Sequence, residues 1–109
     1  MKNHVIELNT SSFDSQVFMS LKPSWITFGA KWCPPCKAFG PTHESIAQQF
    51  ENQVFSGHID IDECPELAKQ YDIKSVPTHI LFKDGEVVKR LQGALVRSAV
   101  ETAYIDLIG

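Results

Sequence analysis

The distribution of apolar and polar residues along the chain predicts strands that alternate with helices. Apolar runs bounded by polar or turn-forming residues predict five strands, at 5–8, 24–30, 54–61, 78–82 and 86–91. Helical spacing of apolar residues, together with capping residues and prolines, predicts four helices, at 12–21, 33–50, 65–71 and 95–108. The resulting order is β-α-β-α-β-α-β-β-α.

This order predicts an α/β fold. Strands that alternate with helices pair in parallel through crossover connections, whereas the last two strands flank Asp84-Gly85, a dipeptide typical of a tight antiparallel hairpin. We therefore expect a central mixed sheet of five strands, flanked by four helices on its two faces. The chain of 109 residues fits a single domain that spans residues 1–109.

The bounds of the first helix depend on its capping residues. Thr10 or Ser11 is the expected N-cap, and Pro23 is expected to end the helix because a proline ring disrupts the preceding turn. Four residues at helical spacing form the expected apolar face, namely Phe13, Val17, Phe18 and Leu21.

Composition and charge exclude several classes of protein. Hydrophobic residues make up 43% of the chain and charged residues 21%, which is the balance of an ordinary globular domain. The net charge is −3 and no basic run occurs, so a nucleic-acid-binding surface is not expected. The apolar stretches are too short to cross a membrane, and the first residues lack the apolar core of a signal peptide. We therefore expect a cytoplasmic protein without a membrane or nucleic-acid partner.

The chain contains three cysteines, and two of them, Cys33 and Cys36, form a Cys-x-x-Cys pair. So small and odd a number is not typical of secreted domains held together by disulfides. In a reducing compartment the spacing indicates redox chemistry or half of a zinc site. A tetrahedral zinc site needs about four ligands, and the sequence has no second Cys-x-x-Cys, so redox chemistry is favoured.

The third cysteine, Cys64, is expected to be a small residue that ends a loop, with a modifiable regulatory thiol as the alternative.

The position of the pair at the start of the second helix predicts how it reacts. Cys33 falls at the N-cap, where unpaired N–H groups and the helix dipole favour a thiolate, which is the nucleophile of disulfide exchange. Cys36, one turn into the helix and expected to be less exposed, suits the role of the resolving cysteine. Two cysteines at this spacing can reach disulfide geometry.

The residues around the pair fit this interpretation. Pro34 and Pro35 fall at the first two helical positions, where no intrahelical N–H bond is needed. They leave the Cys36 N–H as the nearest donor to the Cys33 sulfur. Lys37 adds a positive charge that is expected to act weakly because it is solvated.

At these residues the chain resembles the thioredoxin family, and the resemblance covers nearly the whole chain. A tryptophan-flanked cysteine pair followed further along by Val-Pro-Thr is a specific combination. The matching segments are Phe28-x-Ala30-x-Trp32-Cys33-x-Pro35-Cys36-Lys37, Pro41, Ile59-x-Ile61-Asp62, Tyr71-x-Ile73-x-Ser75-Val76-Pro77-Thr78, Phe82-Lys83-Asp84-Gly85 and Gly93-Ala94-Leu95. The resemblance implies the thioredoxin fold and the reversible reduction of protein disulfides.

The resemblance also implies a way of binding substrate. It implies a cis peptide before Pro77, which lets Val76 offer its backbone N–H and C=O to an extended substrate segment. Trp32, Gly93 and Ala94 would complete this shallow apolar surface; the alternative for Trp32 is a core aromatic residue.

The resemblance further implies the partners of the protein. It implies a monomer that needs no cofactor besides the redox-active Cys33–Cys36 disulfide and binds no metal. Its partners would be disulfide-containing proteins and a flavoenzyme of the thioredoxin reductase type, which draws on NADPH.

Three departures from the family pattern affect the site. Pro34-Pro35 replaces the usual Gly-Pro, so a different redox potential is expected. The direction of that difference depends on two opposed effects, because a lost N–H donor favours the disulfide whereas strain in the disulfide opposes it.

The second departure is at Thr27, which stands where the family commonly has a buried aspartate. That aspartate is thought to accept the proton of the resolving cysteine. A threonine hydroxyl is not a base near neutral pH.

The third departure concerns histidines. His58 matches a lysine of the family, and His43 and His79 occupy positions that are usually apolar. Together with Thr27, they are expected on the side of the sheet that faces the cysteine-bearing helix. Because histidine titrates near neutrality, His58 is our hypothetical proton acceptor for Cys36. The alternative, that these histidines only satisfy local hydrogen bonds, is favoured for His58 and more strongly for His43 and His79.

The sequence thus predicts a protein-disulfide reductase that acts through Cys33 and Cys36. A more oxidising oxidase or isomerase is one alternative, which the reduction potential distinguishes. A non-catalytic binding module with the same fold is another, which would show no dithiol-dependent turnover. A cysteine-ligated metal protein is the third, which metal analysis of the reduced protein would reveal.

Overall fold

The computed structural model describes residues 3–109, with strands and helices in the predicted order. The strands are β1 (Val5–Leu8), β2 (Ser24–Gly29), β3 (Phe55–Asp60), β4 (Thr78–Lys83) and β5 (Glu86–Gln92). The helices are α1 (Thr10–Val17), α2 (Pro34–Gln49), α3 (Pro65–Gln70) and α4 (Arg97–Ile108). The bounds of most elements lie within two residues of the predicted ones, and α1 is the exception.

The strands form one mixed sheet in the order β1-β3-β2-β4-β5. β3 pairs in parallel with both β1 and β2, whereas β4 is antiparallel to β2 and β5. The predicted mixed five-stranded sheet is therefore confirmed. β2 lies at the centre with all of its residues buried, and the chain that leaves its carboxyl end leads directly to Cys33.

Apolar side chains pack on both faces of the sheet. On one face, Phe13 of α1 and Leu67 of α3 pack with Phe28 of β2. On the other face, Trp25 of β2 packs with Phe39, Ile46, Val100 and Tyr104 of α2 and α4. Full burial of one large apolar side chain stabilises a fold by about 1.5–3 kcal/mol, so these two layers anchor α2 and its cysteines on the sheet.

The hairpin between β4 and β5 has the predicted turn. Asp84 and Gly85 have φ angles of 54° and 78°, in the left-handed region that a type I′ turn requires at both central residues. Aspartate and glycine are among the residues that adopt this region most readily, so the dipeptide determines where β4 ends.

The predicted bounds of α1 are wrong at both ends. The helix begins at Thr10 because Asn9 is the N-cap: its side chain accepts a hydrogen bond from the Ser12 N–H at 2.9 Å, and Ser12 Oγ accepts one from the Asn9 N–H. The helix ends at Val17, well before Pro23. Two residues of the predicted apolar face are buried, Phe13 and Val17, but Phe18 is partly exposed and Leu21 is fully exposed.

We predict that Asn9→Ala lowers the free energy of unfolding by about 1 kcal/mol, because the substitution removes a reciprocal pair of capping hydrogen bonds. Urea denaturation followed by circular dichroism measures the change. Thr10→Ala is the matched control, since Thr10 lies inside the helix and is exposed. An equal loss in both variants would show that Asn9 does not cap α1.

Candidate active site

The two cysteines lie at the start of α2 and form a disulfide, with their Cα atoms 5.3 Å apart. Cys33 is the N-cap in extended backbone conformation, and Pro34 and Pro35 are the first residues of the helix. The Cys36 N–H donates to Cys33 Sγ at 3.2 Å. Both cysteines and both prolines therefore lie at the helix positions that the sequence predicts, and the expected donor, the Cys36 N–H, faces Cys33 Sγ.

The relative exposure of the two cysteines is the reverse of what the sequence predicted. Cys33 is 3% exposed, whereas Cys36 is half-buried. Cys33 Sγ lies 3.6 Å from the carbonyl oxygen of Val76, which covers it from one side. Cys36 is open on the other side because Gly29, at the end of β2, has no side chain to cover its sulfur.

A shallow apolar groove of about 350 Å³ opens beside Cys33. Six residues that define it are Trp32, Cys33, Pro34, Ile61, Ile73 and Val76. The Val76–Pro77 peptide is cis, as the resemblance implied. Gly93 and Ala94 are not part of this lining; Gly93 borders Pro77, to whose carbonyl its N–H donates at 2.9 Å, and Ala94 is exposed.

Trp32 forms one wall of this groove. Its side chain is 64% exposed, so it is a surface residue and not a core aromatic. Its indole N–H donates to Asp62 Oδ2 at 2.8 Å, which holds the ring in place although it is exposed. Lys37 is exposed, as expected of a solvated lysine.

A network of buried polar side chains lies beneath α2. Its members come from β2, α2, β3, β4 and α4 and are Trp25, Thr27, His43, Ser56, His79 and Tyr104. The Trp25 indole N–H donates to Thr27 Oγ1 at 3.0 Å. Thr27 Oγ1 also lies 2.9 Å from His79 Nδ1 and 3.5 Å from His43 Nδ1. The structure thus brings Thr27 and two of the predicted histidines into contact.

The network continues from both histidines. His79 Nε2 lies 2.8 Å from the carbonyl oxygen of Gly93, which therefore accepts its proton. His43 Nε2 lies 2.9 Å from the Tyr104 hydroxyl, which in turn lies 2.7 Å from Ser56 Oγ. The network therefore runs without interruption from the loop after β5 to the start of β3.

A single set of hydrogen-bond directions satisfies the network with both rings neutral. Because His79 Nε2 donates to Gly93, its Nδ1 accepts from the Thr27 hydroxyl. His43 then donates from Nδ1 to Thr27 and accepts at Nε2 from Tyr104. Neither ring has a lone pair left with which to accept a proton from Cys36.

The pKa values agree with neutral rings. Burial, and to a smaller extent the nearby His79 and His58, lowers the pKa of His43 to about 3. Burial lowers the pKa of His79 to about 4, against the smaller opposing effect of its hydrogen bond to Gly93. Burial also raises the pKa of Tyr104. The network is therefore uncharged near neutral pH, and His43 and His79 satisfy local hydrogen bonds.

His58 lies on the same side of the sheet but in a different environment. It is the register partner of Thr27 between β2 and β3, yet it is half-buried and lies with Cys36 along two hollows at the edge of α2. Its Nδ1 lies 2.9 Å from Glu7 Oε1. No sequence pattern singles out Glu7, because its position opposite His58 depends on the register between β1 and β3.

Comparison with known proteins identifies the family. The thioredoxin family model matches residues 4–105 of the chain. The chain belongs to the thioredoxin family. Membership, together with the bonded cysteine pair, makes the protein a thiol–disulfide oxidoreductase.

The chain is similar to named thioredoxins along their length. It is 37% identical to the thioredoxin of Mycobacterium tuberculosis strain H37Rv over 107 residues, which cover 98% of this chain and 92% of that protein. It is 39% identical to the bifunctional thioredoxin reductase/thioredoxin of Mycobacterium leprae over 103 residues, which are 94% of this chain but 22% of that longer protein. The solved structure of the Malassezia sympodialis thioredoxin superposes with a TM-score of 0.88 at 27% identity, covering 99% of this chain and 94% of that one.

Thioredoxins act through their cysteine pair and need no cofactor. Among residues 3–109, no group of three or more histidine, cysteine or acidic side chains is arranged to hold a metal ion. In the same part of the chain, no helix is long and apolar enough to span a membrane. Where the resemblance to the family implies a buried aspartate, the structure has Thr27 within an uncharged network.

Proposed function

We propose that this thioredoxin reduces disulfides in other proteins. The thiolate of Cys33 attacks one sulfur of the substrate disulfide, so that a mixed disulfide forms and the first substrate thiol leaves. Cys36 then loses its proton and attacks Cys33, and the second substrate thiol leaves. Two electrons pass from the dithiol to the substrate, and the Cys33–Cys36 disulfide is the oxidised product.

The surroundings of Cys33 carry this proposal. Its sulfur accepts the Cys36 N–H at the start of a helix of 16 residues, where an anion is stabilised. The same cysteine lines the apolar groove beside Val76, so an extended segment docked there has its disulfide next to the nucleophile. The backbone of Val76 lies beside the groove and is the proposed strand-like partner for that segment. We propose Trp32 and Val76 as the main substrate contacts, with Pro77, Gly93 and Ala94 beside them.

The resolving step needs a base for the Cys36 thiol. We propose His58 for this role, because it lies with Cys36 along the same two hollows, whereas both ring nitrogens of each buried histidine are already hydrogen-bonded.

For the return to the dithiol we propose a flavoenzyme reductase that draws on NADPH. The Mycobacterium leprae relative, whose name joins a thioredoxin reductase and a thioredoxin in one protein, supports that partner. Reduction in this direction requires a reducing compartment, and we propose the cytoplasm.

We predict that the protein catalyses the reduction of insulin by dithiothreitol and that its dithiol has a reduction potential more negative than about −230 mV. Precipitation of the insulin B chain measures the first quantity, and equilibration with glutathione measures the second. A potential above about −180 mV would assign the protein to the oxidases or isomerases instead. Failure to accelerate insulin reduction would leave only a binding function for the groove.

A further inference from the structure

Glu7 determines which nitrogen of His58 carries the proton. The Glu7 carboxylate lies 2.9 Å from His58 Nδ1 and can only accept a hydrogen bond. Nδ1 of His58 therefore donates, and in the neutral ring Nε2 has the free lone pair. The two residues are register partners on adjacent parallel strands, β1 and β3, so the sheet itself holds them together.

The unprotonated nitrogen faces the second cysteine. An atom built at the β-carbon position of Gly29 would lie 2.8 Å from His58 Nε2 and 3.4 Å from Cys36 Sγ. Nε2 and the sulfur therefore approach the same small volume above Gly29. His58 Nε2 and Cys36 Sγ are therefore no further apart than the sum of these two distances, a span that one bridging water molecule can connect.

Glu7 is the hydrogen-bond partner of His58, and the neighbouring carboxylates have other partners. The other titratable groups that line the two hollows are Lys31, Lys37, His43, Glu44, Asp60 and Glu63. Glu44 accepts from the backbone N–H groups of His4 and Val5, and Asp60 accepts from those of Asp62 and Glu63. The Glu63 carboxylate lies 3.7 Å from Lys31 Nζ. Among the side chains described around these hollows, Glu7 is the carboxylate that is hydrogen-bonded to His58.

We propose that Glu7 is the positioning residue that makes His58 the proton acceptor of Cys36. This inference rests on the proposed function. In the mixed disulfide, the proton of the Cys36 thiol passes to His58 Nε2, while Nδ1 keeps its proton and its hydrogen bond to Glu7. The Cys36 thiolate attacks Cys33 Sγ, the bond between Cys33 and the substrate breaks, and the electron pair leaves on the substrate sulfur. His58 then returns its proton to solvent, since it is half-buried beside the hollows.

The carboxylate of Glu7 acts in two ways. Its hydrogen bond holds the ring in the tautomer whose lone pair faces the sulfur, and its negative charge stabilises the imidazolium that forms when the proton arrives. His58, positioned by Glu7, thus takes the proton-accepting role that the resemblance assigns to the family's buried carboxylate, because Thr27 occupies that carboxylate's position. The groups differ in place as well, since Glu7 acts from the edge strand β1 and not from beneath the disulfide.

Glu7→Ala tests the inference in a single-turnover experiment. Pre-reduced protein is mixed with insulin, the reaction is quenched in acid, and the mixed disulfide is quantified on a non-reducing gel. At about pH 7 we expect the mixed disulfide to resolve about tenfold more slowly than in the unchanged protein, and more slowly still in His58→Leu. At about pH 9 we expect the difference to disappear, because hydroxide can then remove the proton of the Cys36 thiol without a side-chain base.

Glu63→Ala is the matched control. It removes one carboxylate from the same hollow without touching His58, so we expect resolution at the unchanged rate. Glu7→Gln retains an acceptor for the Nδ1 proton and should lie between Glu7→Ala and the unchanged protein. The rate at which Cys33 is alkylated should be the same in all of these variants, because the relay acts on Cys36.

Three outcomes would overturn the inference: Glu7→Ala resolves as fast as the unchanged protein, Glu63→Ala is slowed equally, or the slowing persists at about pH 9. The last would show a structural effect and not a missing base. If instead the unchanged protein neither forms a mixed disulfide nor releases insulin thiols, the proposed reductase function fails, an outcome distinct from a failure of the relay alone.

Gly29→Ala provides a second measurement. The added methyl group would collide with His58 Nε2, the movable end of a side chain, and so displace the ring from Cys36. We expect the same accumulation of mixed disulfide at about pH 7 and the same rescue at about pH 9. Resolution at the unchanged rate with the ring displaced, as shown by loss of the Glu7 contact in nuclear magnetic resonance, would exclude His58 as the acceptor.

Discussion

Replacing Cys36 with serine is expected to leave the protein attached to its substrate, whereas replacing Cys33 is expected to prevent the attachment. Without Cys36 the mixed disulfide on Cys33 has no internal nucleophile and persists until an external thiol releases it. Without Cys33 the nucleophile itself is lost, and we expect insulin reduction to fall on the order of a thousandfold. Mass spectrometry of the covalent adduct, before and after dithiothreitol, distinguishes the two variants.

Cys64→Ser is the matched control for both substitutions. Cys64 is a free cysteine that is 2% exposed and packs in the core on the α1 side of the sheet. We expect this variant to reduce insulin normally. The opposite assignment of the two roles is testable too, since Cys36 is the more exposed residue of the pair. If Cys33→Ser captured insulin and Cys36→Ser did not, the roles of nucleophile and resolving cysteine would be exchanged.

The second large effect is a loss of stability in mild acid, caused by the buried histidines. The pKa values of His43 and His79 are lowered by burial to about 3 and about 4, from the ordinary histidine value of 6.5. Below about pH 6.5 the unfolded chain therefore binds protons that the folded protein does not, and stability falls as the pH falls. Each histidine costs about 2 kcal/mol between pH 8 and pH 5, so we expect a combined loss of about 4 kcal/mol.

Urea denaturation at a series of pH values measures this loss. Nuclear magnetic resonance provides the site-specific readout, because the ring protons of His43 and His79 should not titrate in the folded protein between about pH 8 and about pH 5. His79→Gln should be less stable at about pH 8 but should lose part of the pH dependence. A free energy of unfolding that is constant over this range would show that the two rings are not held neutral by burial.

The sequence predicted the features of the fold that depend on local chemistry. The cysteine-bearing helix, the Asp84-Gly85 turn and the buried central strand each follow from residue types at fixed spacing, and the structure has them at the predicted places. The end of α1 did not follow, because no residue there forces the helix to stop. Phe18 is the C-cap, with its N–H still bonded to the carbonyl of Asp14, and its ring packs against Phe13 and Phe82, which is a tertiary contact.

The parts of the candidate site that depend on residues close together in the sequence were predictable. Cys33 and Cys36 lie on one helical turn, so their geometry follows from their spacing. The lower exposure of Cys33 did not follow, because it depends on Val76, which lies far along the chain. The interaction of Glu7 with His58 depends on strand register, and the neutrality of His43 depends on Tyr104 of the last helix. Contacts of this kind appear only when the elements are assembled.

Two openings lie beside the disulfide, the groove at Cys33 and the hollow at Cys36. They share no lining residue. In the proposed reaction, electrons are exchanged at the first opening, where we propose that the partner protein docks, and protons are exchanged at the second. A partner seated in the groove alone does not occupy the hollow, so the proposed proton transfer can be balanced with bulk water while the two proteins are still joined.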